Sequence, residues 1–321
     1  MARTYFVVGS GSIGRRHFAN MKKMGKSEEL YSWRRFSAQG ITQKLASRSG
    51  NAAVIIATAT DIRAGIVSLC AAHGAPMYIE KPLAFNRTEF DKIYSINADL
   101  QKRSMFGFML RYHLLIDYLV NLPGQSFLQT QLKIGHDVRQ GRENWRLTES
   151  YATRTKSGMA LLDLCHEIDL VGMICLDLTL RDVRSVRPAA LPGVDIASAL
   201  SLVFDAGTTV TVSMYNLSPV LKRGDSLTGA AQNITFDFVT NSAATTTPEG
   251  IQNHHFATKR NTMFEKIMQD FATLAKDICA AIHYSLPNTL PRMDKIKTSC
   301  ARIAEAWKRP EFIGKRKVNL Q

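Results

Sequence analysis

The chain has 321 residues, 41 Lys and Arg against 27 Asp and Glu, a formal net charge of +14, and a 45% share of hydrophobic residues. At roughly 150 residues per domain this length predicts about two domains with cores of their own, and the apolar share excludes wholesale disorder. The stretch from Leu161 to Leu180 comes nearest to a membrane span, but Asp163, Glu167, Asp169 and Asp177 interrupt it, so nothing reaches the ~20 apolar residues a bilayer requires. In chain order, Tyr5–Val8 is expected as a first strand and Ile13–Met24 as a helix. Leu30–Trp33 follows as a strand, Ile41–Arg48 as a short helix, and Ala52–Thr58 as an unbroken apolar strand buried on both faces. A helix (Ile62–Ala72), a strand (Met77–Ile79), a helix (Thr88–Leu100) and a strand (Met105–Phe108) complete a βαβ rhythm. The short interval between the second strand and Ala52 predicts a sheet trimmed at the edge that carries the second strand.

Past Arg111 the rhythm changes. A helix (Leu114–Leu122), an alternating strand (Phe127–Ile134) and a polar stretch around Gly141–Ser157 precede a helix at Ala160–Leu176. Val183–Val186, Ala199–Phe204, Thr208–Tyr215 and Asn233–Val239 read as strands, Thr240–Pro248 as a low-complexity loop, and Thr262–Tyr284 and Met293–Trp307 as closing helices. The expected fold class is α/β: an N-terminal Rossmann domain on a parallel sheet (1–112), followed by an α+β domain (113–321) with a large, mostly antiparallel open sheet. The last helix is allowed to pack back on the first domain.

A surplus of eight positive charges within residues 1–50 and of six within 285–321 accounts for the whole net charge. Such charge can contact phosphate in nucleic acid or steer an anionic small molecule. No RNP-type aromatic motif, zinc-finger spacing or helix-turn-helix signature accompanies it, so nucleic acid is set aside. Cys70, Cys165, Cys175, Cys279 and Cys300 are odd in number and form no Cys-x-x-Cys pair. They predict reduced thiols in a cytoplasmic protein, without a disulfide framework or a metal site. A strand beginning by Thr4 leaves no room for a leader peptide in this reading.

Gly9-Ser10-Gly11-Ser12-Ile13-Gly14 satisfies G-x-G-x-x-G directly after a strand and at the start of a helix. Gly9 allows a tight turn, Gly11 a close approach of backbone to pyrophosphate, and Gly14 close helix–strand packing, while the helix N-terminus supplies N–H donors. The acid usual about twenty residues further on is absent; Ser32-Trp33-Arg34-Arg35 stands there instead. A carboxylate would repel a 2′-phosphate, whereas guanidinium groups pair with it. Ser32 can add a hydroxyl contact, and Trp33 or Arg34 can stack on adenine. The expected cofactor is therefore NADP(H), with NAD(H) possible.

Glu80-Lys81-Pro82 ends the next-to-last parallel strand, so Lys81 is expected to face the nicotinamide region. Further along, the i, i+3 spacing of Asp163 and His166 puts both on one helix face, with Glu167 adjacent. Hydride transfer at a carbinol carbon also needs a proton donor or acceptor at its oxygen. A histidine oriented by a carboxylate, beside a hydrogen-bonding lysine, answers that need. Arg63 is expected to meet a phosphate or solvent.

The glycine loop running into Arg15-Arg16-His17, the Glu80-Lys81-Pro82 turn, the Asp163…His166-x-x-Asp169 helix, Gly107–His113 and Arg260–Phe264 together resemble the Gfo/Idh/MocA oxidoreductases over nearly the whole chain. Of these pieces, Gly107–His113 and Arg260–Phe264, together with Trp145-Arg146 and Ser150-Tyr151, look most like a branch associated with polysaccharide and nucleotide-sugar biosynthesis. The resemblance implies NAD(P)-dependent transfer of a hydride to or from a sugar or nucleotide sugar, in a homodimer or homotetramer. It gives Lys81 the placing of substrate and nicotinamide, His166 the proton exchange and Asp163 its support. Ala57, Thr58 and Glu80 would join the cofactor contacts, and Arg111, Trp145, Arg146, Tyr151 and His166 the substrate contacts. The histidine follows Asp163 by three residues rather than the family's commoner four, which leaves open whether Asp163 or Glu167 assists it. A cofactor-binding regulator, and NAD(P)-assisted glycoside cleavage or epimerisation, are the alternative functions.

Overall fold

The computed structural model describes residues 3–122, 127–138, 160–175, 178–189, 193–204, 207–276, 289–308 and 311–316. The chain divides into two compact units, Met1–Tyr112 with Lys259–Ala301, and His113–Thr258 with Arg302–Gln321.

The first unit opens with β1 (Thr4–Val8), α1 (Ser12–Lys23), β2 (Ser27–Tyr31), α2 (Trp33–Ser47) and β3 (Ala52–Ile56). A 3-10 turn at Thr60–Ile62 leads into α3 (Arg63–Ala72), then β4 (Met77–Ile79), α4 (Arg87–Tyr94), α5 (Ala98–Lys102) and β5 (Met105–Phe106). The strands form a parallel sheet in the order β2-β1-β3-β4-β5. β2 is its edge, which is the trimmed side expected from the short interval before Ala52. β1 and β3 are buried at every position, as continuous apolar strands of a sheet covered on both faces must be. The single helix expected over Thr88–Leu100 is two, because Asn97 accepts a hydrogen bond from the Leu100 backbone N–H and starts a second helix.

Lys259–Ala301, expected in the second domain, belongs to this unit. Helix α9 (Arg260–Lys276) repeats Met263, Phe264, Ile267, Met268, Phe271 and Leu274 at helical spacing. Ile267, Met268 and Phe271 join Tyr5, Val7, Ala53, Ile55, Tyr78 and Met105 in one apolar cluster. These partners alternate along their strands and so line a single sheet face. Met21 of α1 shares this cluster with α9, and Phe18 and Met24 pack against it. Phe106 N–H donates to Pro291 O (2.9 Å), and Met105 bridges Arg292, closing the β5 edge.

The second unit contains α6 (Leu114–Val120), β6 (Phe127–Asp137), α7 (Ala160–Asp163) and α8 (His166–Ile174). After these come β7 (Leu178–Pro188), β8 (Ala197–Phe204), β9 (Thr209–Tyr215), β10 (Leu217–Gly229), β11 (Asn233–Asp237), β12 (Ser242–Thr247) and β13 (Gly250–His255). Helix α10 (Lys297–Lys308) runs across the division between the units, and β14 (Glu311–Arg316) follows it. Among the described residues, nine strands form one sheet in the order β13-β12-β11-β10-β6-β9-β8-β7-β14, antiparallel except for β6–β9 and β7–β14. The α/β class with a larger, mostly antiparallel sheet is as expected. The loop expected at Thr240–Pro248 is a correction: Ser242–Thr247 is a strand paired on both sides, with Thr245 opposite Ile234 and Gln252. Its β-branched threonines suit a pleated ladder, and neighbours on both sides supply what its weak hydrophobicity does not.

Candidate active site

Gly9 leaves β1 at φ +119°, and its N–H donates to Tyr31 O (2.9 Å). A Cβ there would lie 2.3 Å from Ala57 O, and one at Gly14 would lie 1.7 Å from Gly9 O, so neither position admits a side chain. Gly11 differs. A Cβ there meets nothing within 4 Å. Gly11 also caps α1 without a side-chain hydrogen bond, and no acid stands in the first helical turn. The first N–H groups of a helix have no intrahelical acceptor, and at its positive end, beside a residue without a side chain, they suit an anionic diphosphate. Ser10, Ser12 and Ile13 lie along the same loop and first turn, with Arg15 Nε donating to Ser10 O (2.9 Å). The loop sits where the strand order reverses between β1 and β3, the switch point at which open parallel sheets bind ligands beyond their carboxyl ends. The residues present therefore fit a dinucleotide.

β2 ends at Tyr31, two residues short of the expected boundary. Ser32 is the N-cap of α2, and Trp33, Arg34 and Arg35 form its first turn with no acid among them. Arg34 and Arg35 are exposed and Trp33 is half-buried. The nearby Glu29 carboxylate is occupied: Tyr31 Oη donates to it, and Lys44 Nζ lies 3.1 Å away. The Tyr31 bond, partly opposed by burial and reinforced by Lys44, holds that carboxyl below its usual range.

Ala57 and Thr58 follow β3. Thr58 O accepts from Arg63 Nε (3.1 Å) and Nη2 (2.6 Å), while Arg63 Nη1 donates to the carbonyls of Glu80 and Pro82. Arg63 is buried. The expectation that it meets phosphate or solvent is corrected: three backbone carbonyls, which cannot face water here, take its donors. Glu80 spends its carboxylate inside the unit. Oε1 accepts from His17 Nε2 (2.6 Å) and Tyr78 Oη (3.3 Å), and Oε2 from the Lys81 backbone N–H (3.2 Å). Burial pushes Glu80 up, but the His17 hydrogen bond and charge, with Lys81 and Arg63 behind them, outweigh it and leave the carboxyl below its usual range. An ionised acceptor makes Nε2–H the donor of that pair. Lys81 is half-buried and joined to Pro82 by a cis peptide bond. Arg111 is buried in a 3-10 turn (Met109–Tyr112), with Nη1 donating to Thr289 O (3.3 Å).

In the second unit, the helix expected to run unbroken over Ala160–Leu176 is interrupted at Leu164–Cys165, where Cys165 takes ψ −3°. Asp163 therefore ends α7 and His166 opens α8. The continuous helix is corrected to two short ones, with Asp163 and His166 on either side of the break. The buried carboxylate of Asp195 accepts from the Leu161 N–H and from Ser198 Oγ, both at 2.7 Å, and so anchors the start of α7. His166 is buried. Glu167, 1% exposed on its side chain, is held by Arg223 Nε (2.6 Å) and Nη2 (3.1 Å) in a two-point pair. Of the two carboxylates left open as the helper of His166, this one has both oxygens on an arginine.

Trp145, Arg146 and Tyr151 lie outside the described residues. Among the described residues, no group of His, Cys, Asp and Glu could hold a metal, and no helix is long and apolar enough to cross a membrane. Cys70, Cys165, Cys175 and Cys300 are buried and in no disulfide, and burial pushes the Cys70 thiol up to about 12. Sequence reasoning missed the partnerships of His17, Asp195 and Arg223. His17 was visible only as part of a motif; its partner lies 63 residues away.

No family model and no curated protein matches the chain. Solved structures do. An inositol dehydrogenase homolog from Azotobacter vinelandii complexed with NAD+ aligns at TM-score 0.79 and 12% identity, over 96% of this chain and 95% of that one. A UDP-N-acetylglucosamine 3-dehydrogenase from Acidithiobacillus ferrooxidans aligns at 0.70 and 15%, over 95% and 98%. A variant of a 3-ketoreductase from Actinomadura kijaniata, in complex with TDP-benzene and NADP, aligns at 0.72 and 14%, over 98% and 100%. At these identities the likeness is one of fold.

Proposed function

We propose that the chain is a Gfo/Idh/MocA-type oxidoreductase that transfers a hydride between a nicotinamide and a hydroxyl or ketone carbon of a sugar or nucleotide sugar. The observation that carries this reading is the carboxyl edge of the parallel sheet. There the glycine cradle follows β1, and Lys81 follows the parallel strand β4. The structural neighbours complexed with NAD+ or NADP support the same reading.

A bound NAD(P) would supply the hydride donor or acceptor. The rest falls to the chain. Backbone N–H groups of the Gly9–Gly14 loop hold the diphosphate. Ser32, Arg34 and Arg35 receive a 2′-phosphate and Trp33 or Arg34 covers adenine, which favours NADP(H). Lys81 hydrogen-bonds the reacting oxygen, His166 exchanges its proton, and Asp163 supports the histidine. Arg111, Trp145, Arg146 and Tyr151 hold the sugar, and the large sheet serves a homodimer or homotetramer.

Lys81→Ala and His166→Ala are expected each to lower turnover by about 10² or more, with dinucleotide affinity measured by fluorescence titration nearly unchanged. Near-normal turnover in both variants removes the mechanism. NADPH is expected to bind more tightly than NADH, and Arg34→Ala/Arg35→Ala to erase the difference; tighter NADH binding by the unmodified chain refutes the assignment. Hydride transfer to any member of a panel of ketosugars separates this enzyme from a non-catalytic regulator.

A further inference from the structure

We infer that His17 and Arg63 are positioning residues for Lys81, which they act on through the Glu80–Lys81–Pro82 backbone; the inference rests on the proposed role of Lys81. The peptide unit joining Glu80 to Lys81 is held at both ends. Its carbonyl accepts from Arg63 Nη1, and its N–H donates to Glu80's own Oε2 (3.2 Å). Pro82 O, one residue beyond Lys81, accepts from the same arginine. Arg63 is itself fixed by two bonds to Thr58 O (3.1 and 2.6 Å), so it ties the turn after β4 to the loop after β3.

The Glu80 carboxylate can hold the Lys81 N–H only while its own orientation is fixed. His17 does this. It is fully buried, donates to Oε1 at 2.6 Å, and lies edge-on to Tyr78 and Phe264 with ring centroids 5.0 and 5.8 Å away. Gly107 closes over the other oxygen, where a Cβ would come 2.8 Å from Oε2. His17 also lies on α1, the helix whose N-terminus forms the glycine cradle. One rigid element thus carries both the diphosphate donors and the lock on the lysine's turn. A buried hydrogen bond contributes only modestly to net stability, and the 2.6 Å bond from His17 fixes the orientation of the carboxylate that holds the Lys81 N–H.

The test reads Lys81 directly. Acylation of Lys81 by an N-hydroxysuccinimide ester, followed by mass spectrometry, is compared with that of exposed Lys44 in the full chain. In His17→Leu the Lys81 rate is expected to change about threefold or more, and turnover to fall about tenfold or more, as misplacement of a reacting group predicts. Dinucleotide affinity should stay within about twofold and Lys44 should not respond. His17→Gln, whose amide can donate to Oε1, is expected to recover most of both losses. Glu80→Gln leaves no buried unpaired charge and decides the matter if His17→Leu fails to fold; it too should alter Lys81 acylation. An unchanged Lys81 rate in either folded variant overturns the inference, as does a His17→Gln variant as impaired as His17→Leu. If acylation responds but Lys81→Ala keeps normal turnover, the positioning stands and the catalytic role of Lys81 falls.

Discussion

The glycines of the opening loop differ in what one methyl group would meet. Gly14→Ala places a Cβ against a backbone oxygen at 1.7 Å, and is expected to cost about 1–3 kcal/mol in chemical denaturation. Gly11→Ala meets nothing in the chain. It should change stability by less than about 1 kcal/mol, yet, under the proposed function, weaken dinucleotide binding about tenfold, or about 1.4 kcal/mol, because the methyl would enter the open space over the loop. Normal binding by Gly11→Ala would remove the cradle from the binding reaction. Glu80 supplies a second residue-scale prediction. Its folded-state carboxyl lies below the usual value near 4.5 despite burial, through His17. Its contribution is therefore complete above about pH 4.5 and is lost as pH falls through the lower folded-state value. Glu80→Gln should be less stable than the unmodified chain by about 1–3 kcal/mol at pH 7, with a gap that narrows on acidification below pH 4.5. Urea midpoints across pH 3–7 check this, and a constant gap contradicts it. The motif letters around Gly9 and Lys81 were legible in the sequence because each is a local requirement of one turn. The use of Arg63 was not, since a basic residue near a binding loop reads equally as a phosphate ligand or as a backbone clamp.

Among the elements, those with a strong pattern were readable and those held by neighbours were not. β1, β3 and β4 are continuous apolar runs and fall where periodicity puts them. β12 is a run of Ser, Ala and Thr that becomes a strand through ladders on both sides. The helix expected around His166 is divided into α7 and α8 by a turn at Leu164–Cys165. α7 has four residues, too few to be stable alone, so its external anchor matters. Asp195→Ala removes the acceptor of the Leu161 N–H and is expected to cost about 1–3 kcal/mol in thermal denaturation. Asp195→Asn, which keeps an oxygen acceptor, should recover part of that; equal stability of Asp195→Ala and the unmodified chain would deny the anchor.

At the scale of the whole molecule, residues remote in sequence finish the first unit. Phe271 of α9 is fully buried against Tyr5 and Tyr78, and Phe271→Ala is expected to destabilise by about 3–5 kcal/mol. A fragment ending at Tyr112 exposes the sheet face that α9 covers, so it should show no cooperative unfolding transition. Sharp two-state melting of that fragment would contradict the counted membership of α9 in this core.

What the sequence determined by itself was local: the βα rhythm, the glycine turn, the Glu80-Lys81-Pro82 turn and the basic start of α2, each set by the conformational needs of a few adjacent residues. The tertiary structure alone decided which charges are spent internally, since His17 with Glu80, Arg223 with Glu167 and Arg63 with three carbonyls meet across long separations. It also decided which late helix completes the early sheet. Buried polar groups must find partners wherever the fold brings them together, and no spacing along the chain encodes that distance.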